Sequence, residues 1–257
     1  MSTTKQPPRA DSRSPAQQQV TATRPAAVRY SVWPREFYRS ALGKKYVMAI
    51  TGVIGMGFIF AHMVGNLKMF LGPEAMDSYG EWLRESLLYP IVPHHVALWG
   101  LRLTLIVALI LHVHAAYALT MMNRRARPVK YQTSRDFIAA DFAARTMRWT
   151  GIIVLLFLAY HLADFTWGWV NPGFERGEVY RNGIASLSNP VVALFYIAAN
   201  LALGFHLYHG AWSLFQSLGI NSPRFNPWRR LFAIAFAVIT IGGFIAVPIA
   251  VQLGIVA

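Results

Sequence analysis

The chain contains five apolar segments, each long enough to cross a lipid bilayer as an α-helix. A hydrocarbon layer about 30 Å thick requires about 20 apolar residues in a helix. Of the 257 residues 55% are hydrophobic and 14% are charged, a composition that is unusual for a soluble domain. The sequence therefore predicts an all-α integral membrane protein with five transmembrane helices. The segments are residues 45–70, 96–122, 149–169, 191–215 and 231–253.

The basic excess follows membrane topology and does not indicate a nucleic-acid surface. The formal net charge is +13, and the basic residues concentrate in the tail before span one and in the loops after spans two and four. The other two loops are richer in Asp and Glu. The positive-inside rule then places the N-terminus in the cytoplasm and the C-terminus outside. We expect the basic side to meet anionic lipid or a docked protein.

Residues 1–27 are rich in Pro, Gln, Ser, Thr and Arg and cannot bury a core. We predict a disordered cytoplasmic tail there, followed by the five-helix domain at residues 28–257. The smaller features expected outside are a short interfacial helix at 77–85, an aromatic belt ending at Trp169, and turns at Asn182-Gly183 and Asn189-Pro190.

Four of the five spans contain histidine. Ionisable side chains inside a bilayer are costly and indicate function, and histidine is a usual axial ligand of haem iron. The chain has no cysteine, which excludes thiolate ligation and covalent c-type attachment, so any haem must be held non-covalently. The histidines are His62 in span one, His112 and His114 in span two, His161 in span three, and His206 and His209 in span four.

Because successive spans run in opposite directions, position along each span converts into depth at about 1.5 Å per residue. His62 and His161 fall in the outer half, whereas His112 and His206 fall in the inner half. Alternate helices of a four-helix bundle face each other diagonally. Spans one to four therefore predict a dihaem bundle with two b haems, each held by one pair. Two axial histidines leave no open position, which favours electron transfer.

Two histidines remain reserve ligands. A small or modest residue four positions after a ligand leaves room for a macrocycle, and Phe165 after His161 breaks this pattern. The test is passed by His62, His112 and His206, and equally by the following two histidines: His209 and His114. A lone histidine in a membrane is more often a helix–helix hydrogen-bond donor than a metal ligand. Four helices with one histidine each at matched depths are harder to explain by packing.

Polar residues near the two predicted haems are candidates for propionate and quinone contacts. We expect Arg102 and Lys68 to meet haem propionates. The candidate quinone contacts near the outer haem are Tyr79, Glu81, Trp82, Arg84 and Asp164, and those near the inner haem are Trp212, Ser213 and Gln216 with His209.

Several motifs, in the same order, resemble the cytochrome b558 membrane subunit of succinate dehydrogenase/fumarate reductase, the five-helix, two-haem type. The resemblance covers residues 30–255, and its most specific motifs are Asn-Arg-x-Ala-Arg-Pro and His-x-x-His-Gly-x-Trp-Ser. The matching segments are residues 40–52, 61–67, 111–112, 119–128, 160–162 and 205–213.

The resemblance implies that His62, His112, His161 and His206 are the axial ligands. It also implies a bacterial inner (plasma) membrane location and two cytoplasmic partners, a flavoprotein and an iron–sulfur protein. Electrons would pass from succinate through these partners and the haems to quinone, and the five-helix type is associated with menaquinone. The chain shows no dicarboxylate site of its own and would form one part of an enzyme.

Two alternatives remain open. The chain is also compatible with the cytochrome b subunit of another quinone-linked enzyme, such as a formate dehydrogenase or hydrogenase. The catalytic side of those enzymes often faces outward, whereas the basic cytoplasmic surface of this chain favours a cytoplasmic partner. A haem-free scaffold or transporter with packing histidines is the third interpretation, and it predicts no haem absorbance.

Overall fold

The computed structural model describes the backbone of residues 33–126 and 140–257 and the side chains of residues 34–126 and 146–257. The tail predicted for residues 1–27 lies outside these residues. The chain divides into two units, residues 1–37 and residues 38–257. Helix α1, Trp33–Arg39, begins in the first unit.

Five long helices confirm the predicted fold class, an all-α integral membrane protein. Each is long and apolar enough to cross a membrane, and all regular structure in the described residues is helical. The spanning helices are α2 (Ala41–Asn66, continued by a 3₁₀ turn at Leu67–Leu71), α4 (Val96–Arg125), α5 (Ala140–Phe165), α7 (Pro190–Ser217) and α8 (Asn226–Gln252).

The ends of the spans follow local chemistry. Asn189 accepts a hydrogen bond from the Val191 backbone N–H at 2.9 Å and Pro190 is the first residue of α7, as expected of a helix start. The third span ends at Phe165, four residues before the predicted end at Trp169. The Trp167 N–H donates to Leu162 O, five residues back, at 3.0 Å, and Gly168 has a φ of +70°. Both features end a helix.

Two short helices cover one end of the bundle. Helix α3, Pro73–Glu85, includes the interfacial helix predicted at 77–85, and helix α6 is Val179–Leu187. The turn predicted at Asn182-Gly183 is wrong, because both residues lie inside α6. The buried Asn182 side chain bonds the backbone N–H and C=O of Glu175 at 2.8 and 2.7 Å. At Gly183 a Cβ would lie 2.9 Å from Met69 Cε, so glycine permits a close contact there.

Side-chain hydrogen bonds join these helices to each other and to the C-terminus. The Asp77 carboxylate accepts from the Tyr180 N–H at 2.9 Å, and the Tyr180 hydroxyl donates to Ala257 O at 3.0 Å. Gln252 Nε2 donates to Leu187 O at 2.6 Å. We call this the cap end of the bundle. The opposite end, where α4 finishes at Arg125 and α8 begins, is the basic end.

Helix α8 packs against α7 and α2 through small residues. A Cβ at Gly204 would lie 2.9 Å from Ile241 Cγ1, and one at Gly243 would overlap Met63 Sδ. Small residues let membrane helices approach closely. This packing fits the histidine-free fifth span, which leaves α2, α4, α5 and α7 to carry the histidines. The helix begins five residues before the predicted start and so includes the buried Arg229.

We expect Asn182→Ala to destabilise the cap end. The substitution removes two hydrogen bonds of a buried side chain, each contributing about 0.5–1.5 kcal/mol. The apparent Tm in detergent should fall. Ser188→Ala is the matched control, because the Ser188 hydroxyl is exposed and donates within its own helical turn, to Ile184 O. An Asn182→Ala protein as stable as the Ser188→Ala protein would contradict this account of the cap.

Candidate functional site

The four long helices α2, α4, α5 and α7 bring histidines together in two pairs. The ring centroids of His62 and His161 are 5.8 Å apart, and the ring planes are inclined by 78°. Those of His112 and His206 are 6.4 Å apart, with an inclination of 63°. Each pair therefore joins helices that are not consecutive spans.

The separations suit a metal ion held between two imidazoles. Two rings that bind one ion through nitrogen at about 2 Å have centroids about 6 Å apart, since each ring centre lies about 1 Å beyond its nitrogen. Within the described side chains, no group of three His, Cys, Asp or Glu residues is placed to hold a bare metal ion. A porphyrin supplies four nitrogen ligands itself, so a histidine pair is the donor set that a haem requires.

The pair nearer the cap end is backed by a buried polar network. The Tyr196 hydroxyl donates to Asp164 Oδ2 at 2.7 Å, and the Ser186 hydroxyl donates to the same oxygen at 2.6 Å. The Tyr196 oxygen also lies 3.4 Å from His161 Nδ1. Because the tyrosine has one hydrogen and gives it to Asp164, it accepts from the Nδ1–H of His161. That tautomer leaves Nε2 free to bind a metal.

The pair nearer the basic end has a similar arrangement. The Thr51 hydroxyl donates to Val47 O at 2.7 Å, and its oxygen lies 3.1 Å from His112 Nδ1. Thr51 therefore accepts from the Nδ1–H of His112, and Nε2 again remains free. His206 Nδ1 is buried on the side of the ring that faces α5, where the backbone of Met147 interacts with it.

Glycines from neighbouring helices lie against this second pair. A Cβ at Gly151 would lie 3.4 Å from His206 Cε1, and one at Gly52 would lie 3.8 Å from His112 Cε1. A Cβ at Gly210, one turn after His206, would meet nothing within 4 Å. The residues present therefore fit a flat prosthetic group held by two imidazoles.

The reserve histidines occupy other surroundings. His114 is exposed, and its Nδ1 lies 2.6 Å from the Tyr38 hydroxyl, with the two rings stacked. His209 is half-buried near the basic end of α7. In the described contacts, neither ring lies against a histidine of another span.

Two members of the predicted outer quinone set, Tyr79 and Trp82, stack on each other, and Lys68, predicted to meet a haem propionate, lies over the Tyr79 ring. Lys68 Nζ lies 5.2 Å from the centroid of the Tyr79 ring, and Tyr79 stacks on Trp82 at 6.0 Å. A Cβ at Gly65, three residues after His62, would lie 2.9 Å from Tyr79 Cε1. These three side chains thus form a cationic and aromatic shelf, the cap-end shelf, packed on the end of α2.

The other members of that set have different surroundings. Asp164 is fully buried and accepts hydrogen bonds from Ser186 of α6 and Tyr196 of α7. Glu81 is exposed, and Arg84 Nη1 would lie 3.6 Å from a Cβ at Gly80. Arg102, predicted to meet a propionate, is exposed with its guanidinium 5.1 Å from the centroid of the Trp99 ring.

The predicted inner quinone set contributes one residue to a cavity. Trp212 lines a cavity of about 550 Å³ together with Asn226, Arg230 and apolar residues of α8. The Arg229 guanidinium lies 4.1 Å from the centroid of the Trp212 ring. Ser213 bonds its own helix at Gly210 O, and Gln216 is exposed.

Sequence reasoning missed the residues that support the pairs. Tyr196, Ser186 and Thr51 are polar side chains within or beside apolar runs, and that is the signal that could have found them. Arg229 was missed because the predicted fifth span began two residues after it.

Comparison with known proteins identifies the family. Residues 121–246 match the family model described as "Succinate dehydrogenase/Fumarate reductase transmembrane subunit". The succinate dehydrogenase cytochrome b558 subunit of Bacillus subtilis (strain 168) is 31% identical over 197 residues, which cover 74% of this chain and 84% of that protein. The chain belongs to the succinate dehydrogenase/fumarate reductase transmembrane subunit family. No solved structure gives a significant match.

Membership of the succinate dehydrogenase/fumarate reductase transmembrane subunit family accords with the five spanning helices. The region matched by the family model contains His161 and His206, one histidine of each pair. The partners of these residues, His62 and His112, lie on the two helices that precede that region or reach its first residues.

Proposed function

We propose that the chain is the membrane-anchor, dihaem cytochrome b subunit of a succinate:quinone oxidoreductase. In this role it passes electrons from a cytoplasmic iron–sulfur subunit through two b haems to quinone, with menaquinone as the expected acceptor. The similarity to a named cytochrome b558 subunit supports this function. The observation that carries it is the pair of 5.8 and 6.4 Å contacts between histidines of four different spans.

The chain's own residues have defined tasks in this function. His62 and His161 would hold one haem, and His112 and His206 would hold the other. The Thr51 oxygen lies 3.1 Å from His112 Nδ1, which would leave Nε2 available to the metal. A bound b haem supplies reversible one-electron chemistry. Because the four ligands come from four helices, the bundle itself sets the distance between the two centres.

The two ends of the bundle suit different partners. We assign the basic end to the cytoplasm, where it meets the iron–sulfur protein and the flavoprotein, because Lys and Arg are enriched in cytoplasmic segments. The C-terminus and the cap end then face outside a bacterial inner membrane. The described acidic residues Glu74, Asp77, Glu81 and Glu85 lie toward that opposite side.

The cap-end shelf is the better of the two candidate quinone sites. Lys68, Tyr79 and Trp82 combine a cation, a hydroxyl and a flat ring, which suit the carbonyl oxygens and the ring of a quinone. The shelf packs beside Gly65 and so lies one turn from His62. The cavity at Trp212 and Arg230 is the second candidate site, at the basic end.

A cytochrome b subunit of another quinone-linked dehydrogenase is the alternative function. It would use the same two histidine pairs with a different electron donor. Succinate-dependent reduction of the b haems in the purified complex, free of the membrane quinone pool, distinguishes the two, because that donor requires a succinate-linked partner.

We expect two b haems per chain, one lost with each histidine pair. His62→Ala or His161→Ala should remove the haem nearer the cap end, and His112→Ala or His206→Ala should remove the other, because each deletes an axial ligand. Pyridine haemochrome quantitation on the purified membrane complex measures this. His114→Ala and His209→Ala are matched controls and should keep both haems. Loss of haem in the control variants alone would overturn the pairing.

We expect Gly151→Val to disturb the basic-end haem selectively. A Cβ at Gly151 would already lie 3.4 Å from His206 Cε1, so the branched methyl groups of valine must displace the imidazole. The absorbance of that haem should fall while the other haem is retained. Gly100→Val is the control, since a Cβ there meets nothing within 4 Å. Equal haem content in the Gly151→Val and Gly100→Val proteins would contradict the site geometry.

We expect Trp82→Leu or Tyr79→Phe to raise the quinone KM by about tenfold, the equivalent of about 1.4 kcal/mol of binding free energy. Each variant removes a stacking or hydrogen-bonding group from the cap-end shelf. Succinate:quinone reductase assays across quinone concentration measure the effect. Tyr117→Phe, at an exposed position on α4, is the control. An unchanged KM in both shelf variants would contradict a quinone site at the shelf and favour the Trp212 cavity.

A further inference from the structure

Asp164 is the most deeply buried acidic side chain among the described residues. Its exposed fraction is 0%, and it lies on α5 three residues after His161. Burial of a carboxylate in an apolar interior is costly unless hydrogen bonds compensate. Two hydroxyl groups do so at Oδ2, Ser186 at 2.6 Å and Tyr196 at 2.7 Å. Oδ1 has no partner in the described structure.

The network draws on three separate helices. Asp164 belongs to α5, Ser186 to the cap helix α6, and Tyr196 to α7. A side chain needed only for packing would be apolar here, because a well-packed apolar group avoids the desolvation penalty. The free-energy cost of burying this carboxylate therefore points to a role beyond holding the helices together.

The hydrogen-bond directions connect Asp164 to His161. The single hydroxyl hydrogen of Tyr196 goes to Asp164, so the tyrosine oxygen presents a lone pair to His161 Nδ1, 3.4 Å away. A carboxylate that draws on the tyrosine hydrogen makes the tyrosine oxygen a better acceptor, because neighbouring hydrogen bonds polarise one another. The imidazole then retains its hydrogen on Nδ1 and becomes a more basic ligand through Nε2.

We propose that Asp164 is a positioning residue that acts through Tyr196 on His161 and lowers the reduction potential of the haem nearer the cap end. The inference rests on the proposed function. Partners of this kind orient metal-bound histidine and raise its basicity, and a more basic ligand stabilises the ferric state. Ser186 holds the carboxylate in place from the cap helix, so the cap and the histidine are mechanically connected.

The test is a redox titration of the purified complex carrying Tyr196→Phe. This variant keeps the aromatic ring and the Asp164 side chain, and it removes the hydroxyl group that accepts from His161 and donates to Asp164. We expect the midpoint potential of the cap-end haem to rise by about 59 mV, a tenfold shift of its one-electron equilibrium. The basic-end haem should be unchanged. The cap-end haem is assigned as the one missing from the His161→Ala protein.

Two further variants separate the relay from plain electrostatics and from packing. Asp164→Asn should also raise the cap-end potential, by removing the charge that polarises Tyr196. Tyr180→Phe is the matched control, because the Tyr180 hydroxyl lies at the same end of the bundle and donates to Ala257 O rather than to Asp164 or His161. It should leave the potential unchanged. Low-temperature EPR should report an altered low-spin signal of the cap-end haem in Tyr196→Phe alone of the two tyrosine variants.

The outcomes distinguish this inference from the proposed function. Two b haems in the parent protein, with the same cap-end potential and EPR signal in Tyr196→Phe, would overturn the relay and leave the dihaem function intact. A shift in Asp164→Asn without one in Tyr196→Phe would show a direct charge effect and would also overturn the relay. A parent protein without b haem would overturn both.

Discussion

The structure depends on the free-energy cost of placing an imidazole in the apolar interior of a bilayer. An ionisable side chain at that depth is costly unless it has a partner, and here the rings lie near one another across helices instead of dispersed along them. His62 faces His161 and His112 faces His206, at centroid distances of 5.8 and 6.4 Å. The remaining features serve these two contacts. Helix α8 packs outside them, glycines make room beside them, and the cap helices close one end.

The fold could be predicted from apolar length, because a bilayer fixes how many residues a span requires. Relative depth also followed from sequence, since the spans alternate in direction and rise by a fixed amount per residue. Local ends were harder to predict. The Asn182-Gly183 pair has the composition of a turn but lies inside a helix. The Asn182 side chain bonds Glu175 there, and Gly183 leaves room for Met69, and neither contact can be recognised from the sequence alone.

The surroundings of the histidines could be predicted least. The position of Asp164 along α5 can be calculated from the sequence. The sequence does not reveal that Ser186 of α6 and Tyr196 of α7 donate hydrogen bonds to its carboxylate. The same holds for Lys68 and Tyr79, which meet because α3 folds back onto the end of α2. Such contacts depend on how helices rotate and pack, and a single sequence constrains rotation weakly when the apolar residues surround a helix on most sides. The ligand roles of the four histidines stay a prediction.

The central claim, that each histidine pair holds one six-coordinate haem, is tested most directly by low-temperature EPR of the oxidised, purified complex. Two axial imidazoles leave no open position on the iron and produce a low-spin ferric ion. The account predicts two distinct low-spin ferric signals of equal intensity per chain. A high-spin signal would mean that an axial position is open, and the absence of any haem signal in a folded protein would mean that the pairs are packing contacts.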